Sequence, residues 1–174
     1  MFITACALSP AMPLAPDTEK LYRALFLTAE DVPGLEAREA VHREDAEAGD
    51  TVWVPCRGIK AGFQVWQKIQ GTDLTRLVDV RWLFPSDVAA QRYHEARMAA
   101  NAEGLPPVQA FAMPGADVAA FVGRDPFGLG GEMRIYLFLM GRVAAKLFVS
   151  GLGEEAGVTI LKRAGGRIGL ALRA

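Results

Sequence analysis

Cys56 and His94 are the residue types from which a nucleophile and its base could be assembled. Cys56 lies in Trp53-Val54-Pro55-Cys56-Arg57-Gly58, where Arg57 would favour the reactive thiolate. A cysteine at a strand end is more often a small buried hydrophobe. An enzyme built on this pair requires Cys56 and His94 to be close together and open to solvent. His94 sits in Arg92-Tyr93-His94-Glu95, one position off the apolar stripe, with Gln91 and Arg97 at helical spacing. That placement predicts a surface histidine. His42, inside the charged stretch LEAREAVHREDAEAGD, is expected to be solvated as well. Two histidines and two cysteines, none at ligand spacing, offer no zinc site. Asp79 and Arg81 stand two apart on one strand and predict a surface ion pair in place of acid–base machinery. Gly128-Leu129-Gly130-Gly131 imitates a phosphate loop, but it leads into a strand and lacks the Lys-Ser/Thr of such loops. No catalytic set, metal site or cofactor is expected.

Binding asks less of the sequence. The segment GRDPFGLGGE joins two strands and carries Arg124, Asp125 and Phe127, a contact surface of the kind loops supply. Trp66 shares a strand face with Gln64 and Lys68, opposite Phe63, Val65 and Ile69. A tryptophan on such a mixed face either anchors a partner or packs beneath a loop, and Trp53 poses the same choice.

Charge narrows the partners. Nineteen basic residues against twenty acidic ones leave a formal net charge of −1, with no pull toward nucleic acid. The longest apolar run, 135 to 149, is broken by Gly141, Arg142 and Lys146 and falls short of the roughly 18 residues a membrane helix needs. Ile3-Thr4-Ala5-Cys6 matches the bacterial lipobox, whose cysteine is acylated, and the following ALSPAMPLAPD is a tether-like Pro/Ala segment. Only five residues precede Cys6, without a basic stretch or an apolar core, so a lipoprotein leader would need sequence upstream of Met1.

The elements that must position these groups follow from periodicity. Helical spacing of Leu21, Ala24, Leu25 and Thr28 predicts a helix over 17–28, ended by Asp31-Val32-Pro33-Gly34. Residues 35 to 50 read as a solvated segment, ambiguous between a short helix and an edge strand. A strand is expected at Thr51–Cys56 or at Phe63–Ile69. From Arg76 to Phe84 the chain alternates, with Val78, Val80, Trp82 and Phe84 on one face and Leu77, Asp79, Arg81 and Leu83 on the other. Ser86 caps a helix with inner stripe Ala89, Tyr93, Ala96 and Ala100, closed by Gly104 and Pro106-Pro107. After a short strand at Val118–Val122 comes MRIYLFLMGRVAAKLFV, a hairpin turning at Gly141-Arg142. Both its faces are apolar, which predicts a central position covered on both sides. A last helix, about Glu154 to Leu172, carries Val158, Leu161, Ala164, Ile168 and Leu172 inward.

About five strands and three helices in this order predict one α+β domain over 17–174, a single antiparallel sheet packed by helices, behind a flexible tether at 1–16. A strand ending Phe84-Pro85-Ser86 before an alanine-rich helix, a long glycine loop, the hairpin MGRVAAKLFVSG and a final helix with GGRI resemble the PsbP-like α/β sandwich. Within it they are similar to small actinobacterial lipoproteins of the LpqN kind, as is the opening ALFLTAEDVPGL. The resemblance spans residues 17 to 172. It implies an extracytoplasmic binding or accessory protein without a catalytic motif, and it transfers no functional residue. Such a protein would engage a protein or small-molecule partner, no nucleic acid, and the membrane only through an anchor at Cys6. The alternatives are a small enzyme of unrecognised class using Cys56 and His94, and a cytoplasmic protein of the same fold in which Cys6 is a terminal thiol.

Overall fold

A computed structural model describes residues 16–43, 59–125 and 131–173. Its elements run α1 (Pro16–Ala24), β1 (Glu36–Arg43), β2 (Lys60–Gln70), β3 (Asp73–Leu83), α2 (Asp87–Gly104), β4 (Pro107–Val108), β5 (Asp117–Arg124), β6 (Glu132–Met140), β7 (Val143–Ser150) and α3 (Glu154–Ala171). All the strands form one sheet in the order β1-β2-β3-β7-β6-β5-β4, and every neighbouring pair is antiparallel. The class is α+β, as the pattern predicts, with seven strands among the described residues where about five were expected.

The β6–β7 hairpin turns at Gly141, whose φ of 54° is the left-handed value the first position of this two-residue turn requires. Met140 pairs with Val143, Phe138 with Ala145 and Tyr136 with Leu147. The hairpin lies between β3 and β5, in the interior of the sheet. On one face Tyr136, Phe138, Val143, Ala145, Leu147 and Val149 join the main core with α3 and the segment Tyr22–Leu35. On the other, Ala144 packs with Trp82, Phe84 and Tyr93 under α2, while Met133, Ile135 and Leu137 gather around Phe121 and Met98. Two-sided burial is what an apolar strand pair demands.

Several expectations change. Residues 36–43, read as a solvated segment ambiguous between a short helix and an edge strand, form edge strand β1, exposed from Glu36 to Ala40, and the two-residue β4 closes the other edge. Helix α1 ends at Ala24, so Leu25, Phe26 and Leu27 enter the core from the following turn. Ser86 caps α2 as expected, its Oγ accepting from the Ala89 amide at 3.2 Å. The buried stripe of that helix is Ala89, Ala90, Tyr93, His94, Arg97 and Asn101, rotated one position from the alanine-based expectation. Asp79 and Arg81 are not on a surface. Their strand face is the one that α1 and α3 cover, and both are fully buried.

Candidate functional site

Among the described residues, a cleft of about 540 Å³ opens where strand ends converge beside the start of α3. The start of β3 contributes Asp73 and Thr75, the residue after β5 Asp125, the first residue of β6 Glu132, and the inner face of β6 Arg134 and Tyr136. The β7–α3 turn contributes Ser150, Gly151 and Glu154. Local folding fixes each. The Asp125 amide donates to the Gly131 carbonyl at 3.1 Å, closing the neck between β5 and β6. Gly151 takes φ 71°, and a Cβ there would lie 2.5 Å from the Leu74 carbonyl oxygen. Only glycine lets the two turns approach so closely. Thr75 Oγ1 then donates to the Gly151 carbonyl at 3.3 Å.

The charge of the cleft is predominantly acidic, with Asp73, Asp125, Glu132 and Glu154 around the single guanidinium of Arg134. Arg134 Nε lies 3.4 Å from Glu132 Oε1 and Nη1 lies 3.5 Å from Glu154 Oε1. A hydrogen bond to Tyr136, partly opposed by burial and joined by these carboxylates, holds the guanidinium above its ordinary pKa. The α3 N-terminus opens into the same space without a side-chain cap, and Glu154 and Glu155 in its first turn occupy the positive end of the helix dipole. An anion would meet these carboxylates first. The arrangement suits a polar ligand that brings positive charge and hydrogen-bond donors.

The other expected residues are dispersed. Asp125 is buried in the cleft wall, while Arg124 is exposed at the end of β5. Trp66 is 6% exposed and packs in the main core, its Nε1 donating to Gln64 Oε1 at 3.3 Å. Phe127, Trp53, Cys56 and Cys6 lie outside the described residues. His94, expected at the surface, is 3% exposed, with Nε2 3.4 Å from Asp117 Oδ2 on β5. Burial pushes its imidazole below the usual range, with Asp117 pulling partly back. The solvent-open histidine that a Cys56–His94 enzyme needs is therefore not there. Glu132, Arg134, Tyr136 and Glu154 are cleft residues the sequence did not single out. Their one signal was an arginine on the otherwise apolar Tyr136–Phe138 face of the hairpin.

A second polar cluster is internal. Arg81 Nε donates to Asp79 Oδ1 at 2.8 Å, and the guanidinium lies 5.7 Å from the Phe26 ring centroid. Nearby, buried Lys60 pairs with Glu19 of α1, and Tyr22 Oη stands 3.3 Å from His42 Nδ1. His42, expected to be solvated, is half-buried edge-on against Phe26. These groups fasten α1 to the sheet. Among the described residues no three His, Cys, Asp or Glu side chains gather as a metal site, and no helix is long and apolar enough to cross a membrane.

No protein-family model matches the chain, and no curated protein matches it in sequence. A solved structure does share its fold: the extracellular domain of PknH from Mycobacterium tuberculosis. The two superpose with a TM-score of 0.57 at 10% identity, over 94% of this chain and 99% of that one. The chain thus has the α+β fold of a domain that stands outside the cytoplasm in that protein.

Proposed function

We propose that this protein is a non-catalytic, extracytoplasmic binding domain that holds a small amine-bearing polar ligand in the cleft between the β2–β3 turn and the start of α3. The observation that carries the reading is the composition of that cleft, four carboxylates around one committed arginine in about 540 Å³. That volume falls within the range of small-molecule sites. The extracellular placement of the fold in PknH supports the location, and the lipobox-like Ile3-Thr4-Ala5-Cys6 supplies an anchor in keeping with small PsbP-like lipoproteins of the LpqN kind. Asp125 stands in the cleft wall, where a bound partner would meet it.

Calorimetric titration with 1,5-diaminopentane, a neutral monosaccharide and glutarate tests the ligand class. Saturable binding of the diamine, weakened by Glu132→Gln with Glu154→Gln, supports it. Preference for the dicarboxylate, or no binding of any probe, overturns it.

A further inference from the structure

At the other end of α3 a second groove, of about 520 Å³, runs between the Ala112–Gly115 turn and the helix. We propose that it binds a small anionic amphiphile, an acidic head carrying an unbranched apolar tail. Its chemistry is the opposite of the cleft's. Met113, Met140 and Leu172 line it together with Gly165 and Gly169, and no acidic residue contributes. The glycines make the trough. A Cβ at Gly165 would overlap Met113 Sδ, and one at Gly169 would sit 3.5 Å from Met140 Sδ, so both thioethers lie directly on the helix surface. Methionine side chains adapt to an alkyl chain better than branched residues do.

The charge at the rim selects the head group. From Ala156 to Ala174 the chain holds Lys162, Arg163, Arg167 and Arg173 and no acidic residue. Arg163 and Arg167 are already used, the first donating to the carbonyls of Glu30 and Asp31 and the second pairing with Asp31. Lys162 and Arg173 line the groove and have no ion-pair partner among the described residues. The Arg173 guanidinium lies 3.6 Å from the Cβ position of Gly169, turned onto the groove floor. Two uncommitted cations beside an apolar trough complement a carboxylate with a tail. Leu170, 66% exposed one turn away, extends the apolar surface.

The test uses methionine methyl resonances of the protein, titrated with octanoate, octylamine and octyl glucoside below their micelle-forming concentrations. Saturable shifts of the Met113 and Met140 methyls are expected with octanoate, at least tenfold weaker with the amine and the glucoside. Each CH₂ from hexanoate to decanoate should tighten binding by up to about fourfold. A Cβ at Gly166 meets nothing within 4 Å, so Gly166→Leu fills the groove without disturbing the fold. That variant, and Lys162→Gln with Arg173→Gln, should each lose at least tenfold in octanoate affinity while the remaining methyls keep their positions. Equal response to octylamine, undiminished binding in Gly166→Leu, absence of any saturable shift, or association confined to phosphatidylglycerol vesicles would each overturn the proposal.

Discussion

Replacing Asp79 by leucine tests how the core is held together beneath α1. Both Asp79 and Arg81 have 0% side-chain exposure, and a single 2.8 Å contact joins them. Arg81 Nη1, Arg81 Nη2 and Asp79 Oδ2 find no hydrogen-bond partner among the described residues, so desolvation of the pair is poorly compensated. Removing the carboxylate alone strands a guanidinium in the core, which costs about 3–5 kcal/mol. Against a total stability of about 5–15 kcal/mol this is a large fraction. With a urea dependence of about 2 kcal/mol per molar, the unfolding midpoint of Asp79→Leu should fall by about 1.5–2.5 M. Asp79→Leu combined with Arg81→Met removes both charges and keeps the volume. The same desolvation argument puts this double variant level with the parent or above it, by up to about 4 kcal/mol. Urea unfolding followed by far-ultraviolet circular dichroism reads both. The reasoning fails if the single variant loses less than about 1 kcal/mol, or if the double variant is less stable than either single.

Acidification gives a second outcome. Burial depresses the His94 pKa and leads the depression at His42, so the stability present above about pH 6.5 is lost as pH falls through the folded values. Denaturation curves between pH 7 and 5 should show that loss, and His94→Gln should flatten it; an unchanged slope removes His94 from the account. Gly62→Ala places a Cβ against Tyr22 Oη and 2.6 Å from the Val41 carbonyl oxygen, and should cost about 1–3 kcal/mol by lifting α1. Native-state hydrogen exchange should show α1 amides losing protection first, and uniform loss would refute that order. Expressed with its native upstream sequence, the protein should need detergent for release from the cell envelope, and Cys6→Ser should abolish that requirement. Recovery of unmodified protein in the soluble cytoplasmic fraction would end the anchor proposal.

The central hairpin was legible because two apolar faces and a glycine turn leave one arrangement open to it. Strand β1 was not. Its sequence EAREAVHR carries the charges that protect a sheet edge, and such charges hide the alternation by which strands are recognised. In α2, alanine at so many positions blurs the apolar stripe, and the buried side is marked by His94, Arg97 and Asn101, which periodicity counts as polar. Alternation in β3 was read correctly, but no local signal says that a helix covers each face, which is why Asp79 and Arg81 were placed outside. The acidic cleft collects residues from 72 to 157, and its only local hints were Asp125 in the loop segment and Arg134 on the apolar hairpin face. Sites built from converging strand ends are legible only after the register is known.

The most direct measurement of the binding proposal is an amide chemical-shift map with 1,5-diaminopentane. Saturable shifts should concentrate at residues 73–75, 125, 131–134 and 150–157, which surround the cleft, and should vanish in Glu132→Gln with Glu154→Gln. Shifts confined to α2 and the sheet face beneath it, or a diamine response that survives both substitutions, would contradict a ligand site in this cleft.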